Sequence, residues 1–246
     1  MRVAFVGKGG SGKSSIAGTV ARLLARAGEQ VLALDVDTLP GLSYSLGLGR
    51  VGDAGLPADL AERREKVGWV MRDPVSAEEL VDRHALPGPD GLLFLQLGKL
   101  PGNVKPGSSV AFRHVLEEFR KPGWTLVGDF AAGTRQSSAG WSAFAETIAV
   151  VVEPTRAALI SARRLRSLAP EANMGLVVNK AAAHQALAPA RIAAELQLPL
   201  WAEVPYDEEV ASADRKGLAP IDAAPSSAAV AAIVNLVARL RKEASR

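Results

Sequence analysis

Cysteine is absent from this 246-residue chain, and long apolar runs are absent as well. Without cysteine, one chain can form no disulfide, no thiolate nucleophile and no zinc or iron–sulfur centre held by cysteine. The longest apolar run, Ala228 to Val234, has seven residues, whereas a membrane-spanning helix needs roughly 20. The segment Met1 to Gly7 soon reaches glycine, which is untypical of a secretory signal peptide. We therefore expect a cytoplasmic protein.

An excess of charge of one sign is also missing. The chain has 29 basic and 26 acidic residues, for a net charge of +3, so its overall charge does not indicate a nucleic-acid partner. The densest basic cluster is Arg163, Arg164 and Arg166. A solvated helix face is the favoured interpretation of this cluster, and a phosphate or DNA contact is the alternative.

Short apolar runs alternate with amphipathic segments along most of the chain. The runs predict strands over 2–6, 31–34, 92–97, 125–127, 147–152, 175–178 and 200–204. Apolar residues at helical spacing predict helices over 14–27, 110–119, 157–168 and 189–196. This alternation predicts an α/β fold with a doubly wound, mostly parallel sheet and helices on both faces. We expect one domain over residues 1–246.

Two segments differ from this alternation. Residues 50–91 are rich in charge, glycine and proline, with weak helical patterns over 56–66 and 76–84. Because no linker separates them, we interpret them as an excursion from the same domain. Residues 98–109 form a second loop rich in glycine and proline after a predicted strand. Such a loop either lines a ligand site at the carboxyl end of the sheet or is an ordinary surface connection.

The strongest motif is a glycine-rich phosphate loop of the pattern G-x-x-x-x-G-K-[ST], between a predicted strand and a predicted helix. Its residues are Gly7, Lys8, Gly9, Gly10, Ser11, Gly12, Lys13 and Ser14. Glycines let successive N–H groups face a phosphate, and the helix N-terminus adds partial positive charge. We predict that Lys13 reaches the β- and γ-phosphates, that the Ser14 hydroxyl binds Mg²⁺, and that Ser15 donates to an inner phosphate.

The additional lysine in this loop, Lys8, indicates one family. The loop resembles the deviant Walker A motif of the MinD/ParA/nitrogenase iron protein group of P-loop ATPases. The resemblance continues in the segments 31–37, 125–133, 151–155, 177–180 and 204–207. Within the group it is greatest to the CooC-type accessory ATPases, which assist nickel insertion into carbon monoxide dehydrogenase. It covers residues 1–49 and 92–246 and implies a single P-loop NTPase domain.

The resemblance implies Mg²⁺-dependent ATP hydrolysis in a homodimer that forms on ATP binding. In that group the lysine at the position of Lys8 crosses the dimer interface to the other subunit's nucleotide. The catalytic residues would be Lys8, Lys13 and Asp37, and Asp37 would orient the attacking water. Thr38 replaces the family's usual proline after this aspartate.

Two further carboxylates are assigned to the metal. The resemblance implies that Asp35 supports Mg²⁺ or the phosphate loop, and that Asp129 is a water-mediated Mg²⁺ ligand. Gly133 would let the backbone approach the γ-phosphate. Solvated loop acids are the alternative interpretation of Asp35 and Asp37, and a plain strand-end aspartate is the alternative for Asp129.

The adenine base is assigned to the residues that follow the last two predicted strands. The amide of Asn179 offers both a donor and an acceptor, and the family pairs this position with the adenine edge. Pro205 and Tyr206 would flank the base, and Lys180 and Asp207 complete the predicted nucleotide-binding set. Asn-Lys alone is more often a turn. Proteins that read guanine continue this motif with aspartate, whereas Ala181 stands here, which favours ATP.

One family feature is missing. CooC-type proteins bind metal through a Cys-x-Cys pair, and the corresponding region here, residues 107–110, contains no cysteine. The chain has three histidines, far apart in sequence and without ligand spacing: His84, His114 and His184. We expect no cysteine-bound transition metal, and the nickel role is not carried over.

Several functions fit a dimeric ATPase switch of this kind. The favoured one is an accessory ATPase that acts on an unknown protein client. One alternative is a positioning ATPase of the ParA/MinD type whose ATP-bound dimer binds DNA or membrane, and another is a nucleotide-locked regulator with negligible turnover. Residues 228–241 have an apolar helical face rich in alanine and valine, which favours a helix packed on the sheet over a membrane-binding one.

Overall fold

A central sheet organises the computed structural model, which describes residues 1–37, 41–52, 55–98, 105–131, 144–182 and 187–245. In these ranges the strands are β1 Arg2–Gly7, β2 Gln30–Asp35, β3 Ala61–Arg64, β4 Gly68–Met71, β5 Leu86–Pro87, β6 Leu93–Gln96, β7 Trp124–Ala131, β8 Thr147–Val152, β9 Met174–Ala181 and β10 Leu200–Pro205. Eight of them form one sheet in the order β10-β9-β8-β1-β7-β2-β6-β5. All neighbours are parallel except β5 and β6. The remaining two, β3 and β4, form an antiparallel hairpin.

Helices cover both faces of this sheet. They are α1 Lys13–Arg26, α2 Leu42–Leu46, α3 Ala77–His84, α4 Pro106–Glu118, α5 Arg156–Leu168, α6 Pro189–Leu196, α7 Glu208–Arg215, α8 Pro220–Ala223 and α9 Ala228–Ala244. Side chains alternate between the faces along β1. Val3 and Phe5 pack with α1, α2 and α9, whereas Ala4 and Val6 pack with α3 to α6. The structure therefore confirms the predicted doubly wound α/β fold.

The strand order places chemistry at one edge of the sheet. The chain passes from β1 to β2 and β6, returns to β7 beside β1, and then crosses to β8 on the other side of β1, so β1 lies at the topological switch point. Ligands of open α/β sheets bind beyond the carboxyl ends of the strands at such a point. Gly7 ends β1, and Asp35 at the end of β2 pairs in register with Asp129 of β7.

The excursion and the second loop differ in detail from the prediction. The prediction of a helix over 56–66 was wrong, because a 3₁₀ turn at Ala58–Leu60 leads into the β3–β4 hairpin. Lys66 in the turn of this hairpin and Gly68 at the start of β4 both have positive φ, which a helix does not tolerate. The pattern over 76–84 is confirmed as α3, which begins with a capping box between Ser76 and Glu79. Within 98–109, Pro106 already starts α4, where its missing N–H costs nothing.

The last helix packs against the sheet, as predicted. The buried face of α9 includes Ile233, Leu236 and Leu240, which join the core around α1. Within the described ranges, no helix has the length and apolarity that crossing a membrane requires. On α5, Arg163 and Arg164 are exposed, and the Arg163 guanidinium pairs with Glu195 at 2.7 Å, as expected of a solvated helix face.

Candidate functional site

The phosphate loop connects β1 to α1 through residues 8–12. Gly10 and Gly12 have φ of +84° and +83°, values that glycine adopts without strain. Packing also requires glycine at two positions. A Cβ on Gly12 would lie 2.1 Å from the amide nitrogen of Asn179, and a Cβ on Gly7 would lie 2.2 Å from the Val151 carbonyl oxygen. The loop is therefore packed tightly against the ends of β8 and β9.

Two polar side chains donate hydrogen bonds to backbone carbonyls of this loop. The buried Asn179 Nδ2 donates to the Ser11 carbonyl at 2.8 Å. Lys180 Nζ donates to the Gly10 carbonyl at 3.1 Å and pairs with the Glu153 carboxylate. These contacts with the loop were not predicted. Sequence offers no signal for them, because only the sheet order brings the end of β9 next to residues 10 and 11.

The first turn of α1 faces two carboxylates. Lys13 is buried, and its Nζ lies 3.9 Å from Asp37 Oδ2. The Ser14 hydroxyl donates to Asp129 Oδ2 at 2.5 Å. Asp129 is fully buried, and its Oδ1 has no hydrogen-bond partner among the described residues. Burial raises the pKa of Asp129, against the opposing effects of the Lys13 charge and the Ser14 hydrogen bond.

The third carboxyl group of the cluster, Asp35, is oriented differently. Its two oxygens accept backbone N–H groups of residues 37, 41 and 42. Burial, followed by the neighbouring Asp129 charge, raises the pKa of Asp35 to about 8. Burial thus opposes ionisation of Asp35 and Asp129, while Asp37 and Asp129 lie near the charge of Lys13. A bound cation would favour the ionised carboxylates.

A cleft of about 820 Å³ opens beside the loop. Ten of the predicted site residues line it: Gly10, Gly12, Lys13, Ser14, Ser15, Asn179, Lys180, Pro205, Tyr206 and Asp207. Sequence analysis missed the opposite wall, which α2 and α7 supply with Tyr44, Ser45, Asp214 and Arg215. A volume of this size is typical of small-molecule sites.

The wall formed by α7 is ordered by side-chain contacts. Asp207 caps the helix by accepting the Glu209 and Val210 N–H groups. The Tyr206 hydroxyl donates to Glu208, which also accepts from Arg215. The Ser15 hydroxyl contacts Asp214 at 3.4 Å, whereas that of the adjacent Ser14 contacts Asp129, so the two hydroxyls face opposite sides of the cleft.

The other predicted site residues lie around the loop. Gly7 and Ser11 are buried, whereas Lys8 and Gly9 are exposed on its outer side. The Lys8 side chain makes no ion pair or hydrogen bond with any residue that the structure describes.

Of the histidines, His114 lies elsewhere and donates a ring N–H to the Val75 carbonyl at 3.0 Å. Thr38, Gly133 and His184 lie outside the described residues.

Comparisons with known proteins identify the family of the chain. Residues 3–221 match the model of the CobQ/CobB/MinD/ParA nucleotide binding domain. The chain is 28% identical over 231 residues to an uncharacterised ATP-binding protein of Methanocaldococcus jannaschii, covering 88% of this chain and 90% of that one. It is 25% identical over 251 residues to the carbon monoxide dehydrogenase accessory protein CooC of Rhodospirillum rubrum, covering 92% and 91%.

The fold is similar to that of solved structures. The septum site-determining protein MinD of Pyrococcus horikoshii, complexed with Mg-ADP, has a TM-score of 0.73 at 18% identity, over 98% of this chain and 96% of that one. A ParA family ATPase of Chlorobium tepidum has a TM-score of 0.70 at 21% identity, over 97% and 98%.

Proposed function

Because the chain belongs to the CobQ/CobB/MinD/ParA nucleotide binding domain family, we propose that it is an ATPase that binds ATP with Mg²⁺ and dimerises around the nucleotide. The family match confirms the resemblance seen in the phosphate loop. The relatives named as ATP-binding support ATP as the nucleotide. One observation carries the proposal: the loop presents Lys13 and Ser14 directly to Asp37 and Asp129.

The residues present fit a magnesium ion. Mg²⁺ prefers hard oxygen ligands; the Ser14 hydroxyl would supply one directly, and the adjacent Asp129 carboxylate would act through water. The Asp129 oxygen that lacks a partner among the described residues is an acceptor to which a metal-bound water could donate. When bound, Mg²⁺ supplies positive charge to the β- and γ-phosphates.

The chain's own residues act by positioning and charge rather than by covalent chemistry. Lys13, already buried beside the loop, neutralises charge on the transferred phosphoryl group. Asp37, within 4 Å of that lysine, orients the attacking water. Asn179 and Lys180 keep the loop carbonyls turned away from the phosphates, so that its N–H groups are available to them.

The base is expected in the part of the cleft between β9 and α7. Pro205, Tyr206 and Asp207 line this part together with Asn179. Asn179 already donates to Ser11, so its amide oxygen is the atom available to accept the adenine amino group. Ala181 in place of aspartate leaves no carboxylate to read guanine, and we propose ATP over GTP.

In the proposed dimer, the exposed Lys8 has a catalytic role. In a closed homodimer, with ATP between the subunits, this lysine would add positive charge to the partner's phosphates. Such a switch closes on ATP and loosens on hydrolysis. By its likeness to CooC, we propose that it acts on a protein client, and that residues 1–246 form one domain with 50–91 as an excursion.

The Asp37→Ala variant tests this proposal. It should bind ATP and fail to hydrolyse it, so size-exclusion chromatography with ATP and Mg²⁺ should show a stable dimer. Lys13→Ala should abolish tight nucleotide binding and remain monomeric. An Asp37→Ala protein that stays monomeric in saturating ATP would contradict the switch.

The same trapped variant separates the accessory role from the alternatives. A protein that co-purifies specifically with ATP-bound Asp37→Ala, and not with Lys13→Ala, would be the client. ATP-dependent cosedimentation with DNA or with liposomes would instead favour a positioning ATPase. A wild-type protein that binds ATP without turnover would favour a nucleotide-locked regulator.

A further inference from the structure

The carboxyl group of Asp35 has a bonding pattern that the predicted metal role does not use. Its Oδ1 accepts the N–H of Asp37 at 3.1 Å. Its Oδ2 accepts the N–H groups of Gly41 and Leu42 at 3.1 and 3.0 Å. The side chain is fully buried. Three backbone donors from the segment that follows β2 therefore converge on one side chain.

This segment carries two separate parts of the candidate site. Asp37, at its beginning, faces Lys13. Beyond Leu42, α2 supplies Tyr44 and Ser45 to the wall of the cleft. Displacement near residue 37 would move the carboxylate that faces Lys13, whereas displacement near α2 would move the wall of the cleft.

The α2 end of the segment has a second support. Gly18 of α1 lies so close to α2 that a Cβ on it would be 2.6 Å from Ser45 Cβ. Leu42 and Leu46 are buried in the core. The position of α2 is thus secured by packing, and at the other end of the segment the Asp37 backbone N–H donates to Asp35.

We propose that Asp35 is a positioning residue that holds Asp37 in place for hydrolysis, and that it is not a ligand of the metal. The inference rests on the proposed function, since it assumes that Asp37 orients the attacking water. Three of the roughly four acceptor sites of the carboxylate already receive N–H groups. A metal that displaced any of them would leave a buried N–H without an acceptor, at a cost of roughly 1–3 kcal/mol.

Two variants divide the three hydrogen bonds. Asp35→Asn keeps one carbonyl oxygen, which can still accept from both Gly41 and Leu42, and turns its amide nitrogen towards the Asp37 N–H. Asp35→Ala removes all three acceptors. Gly18→Ala is the matched control, because it leaves Asp35 intact and displaces α2 through the contact of residue 18 with Ser45.

Three measurements give the expected pattern. Without nucleotide, amide hydrogen exchange should become about tenfold faster at residue 37 in Asp35→Asn, and at residues 37, 41 and 42 in Asp35→Ala. In ATP hydrolysis, Asp35→Asn should lower kcat about tenfold and leave KM within about twofold. The Mg²⁺ concentration for half-maximal activity should not change. Gly18→Ala should mainly raise KM.

The outcomes distinguish this inference from the proposed function. An Asp35→Asn protein whose requirement for Mg²⁺ rises as its activity falls would assign Asp35 to the metal. Unchanged exchange at residue 37, or an unchanged kcat, would remove the positioning role. A wild-type protein that hydrolyses no ATP would refute the proposed function itself, and the exchange comparison would still decide whether Asp35 holds the segment.

Discussion

At the scale of single residues, the phosphate loop depends on what lies behind it. Gly12 combines a left-handed backbone with a contact that leaves no room for a side chain, whereas the Cβ of an alanine at Gly9 would meet no atom within 4 Å. Asn179 causes this difference, because its amide nitrogen occupies the space beside Gly12. Two glycines of one motif thus have different physical requirements.

Gly12→Ala should therefore abolish tight ATP binding and lower stability by about 1–3 kcal/mol, through backbone strain and displacement of Asn179. Gly9→Ala is the matched control and should keep the stability of the wild type and its binding of ATP as a monomer. Urea unfolding and equilibrium binding of a fluorescent ATP analogue measure both effects. Equal stability of the two variants would show that the loop adjusts to a side chain at residue 12.

Asn179→Ala should weaken binding of ATP and of inorganic triphosphate together, each roughly tenfold, because it frees the Ser11 carbonyl that the amide now binds. It should also reduce the preference for ATP over GTP. Competition of the three ligands against one fluorescent analogue separates these effects. Loss of base preference with unchanged binding of triphosphate would mean that the contact with Ser11 does not order the loop.

At the scale of elements, an ion-pair network fastens α1 to distant parts of the chain. The Arg22 side chain is 3% exposed and binds Asp222 of α8 through two nitrogens, at 2.8 and 3.0 Å. It also binds Asp90, at the end of the excursion, and the last carbonyl of α2. Arg26, one turn later, contacts the same two aspartates but is 41% exposed.

Arg22→Met should lower the free energy of unfolding by about 1–3 kcal/mol, since it leaves the last carbonyl of α2 without its buried donor, although Arg26 still pairs with both aspartates. Arg26→Met removes an equal charge from the same network and should cost less than about 1 kcal/mol, because exposed ion pairs contribute little. Urea unfolding of both variants measures the difference. Similar losses of stability would mean that the exposed ion pairs of Arg26 contribute as much as the buried contacts of Arg22.

At the scale of the whole molecule, the two lysines of the loop act on different nucleotides in the proposed dimer. The buried Lys13 binds the nucleotide of its own subunit, and the exposed Lys8 reaches that of the partner. Lys8→Ala should bind ATP as a monomer and fail to form the active dimer. Asp37→Ala should dimerise without turnover. Each variant should be inactive alone, because every site lacks one group.

A mixture of Lys8→Ala and Asp37→Ala tests this division. If Lys8 acts on the partner's nucleotide, each heterodimer has one site that lacks both groups and one that is complete. The mixture should recover activity approaching about half the wild-type rate per heterodimer. Absence of recovery, with heterodimers shown to form, would place Lys8 in its own subunit's site.

Much of this architecture could be predicted because local pattern and tertiary position agree. The strand at 147–152 and the helix at 189–196 have the predicted bounds, since continuous burial and helical spacing are local signals. The hairpin in the excursion was missed because its four-residue strands are only partly buried. The contacts of Asn179 with Ser11 and of Asp35 with Leu42 depend on loop geometry, which residue types alone do not specify.

The central position of the first strand has a consequence for synthesis of the chain. Arg2 pairs with Leu126 and Val3 pairs with Thr147, so β1 leaves the ribosome long before either neighbour exists. Non-local pairing of this kind delays folding and exposes apolar strands in the meantime. The phosphate loop is translated well before the residues that hold it, Asn179 and Lys180. A nascent chain therefore carries the motif throughout the synthesis of the residues between them before it has the site.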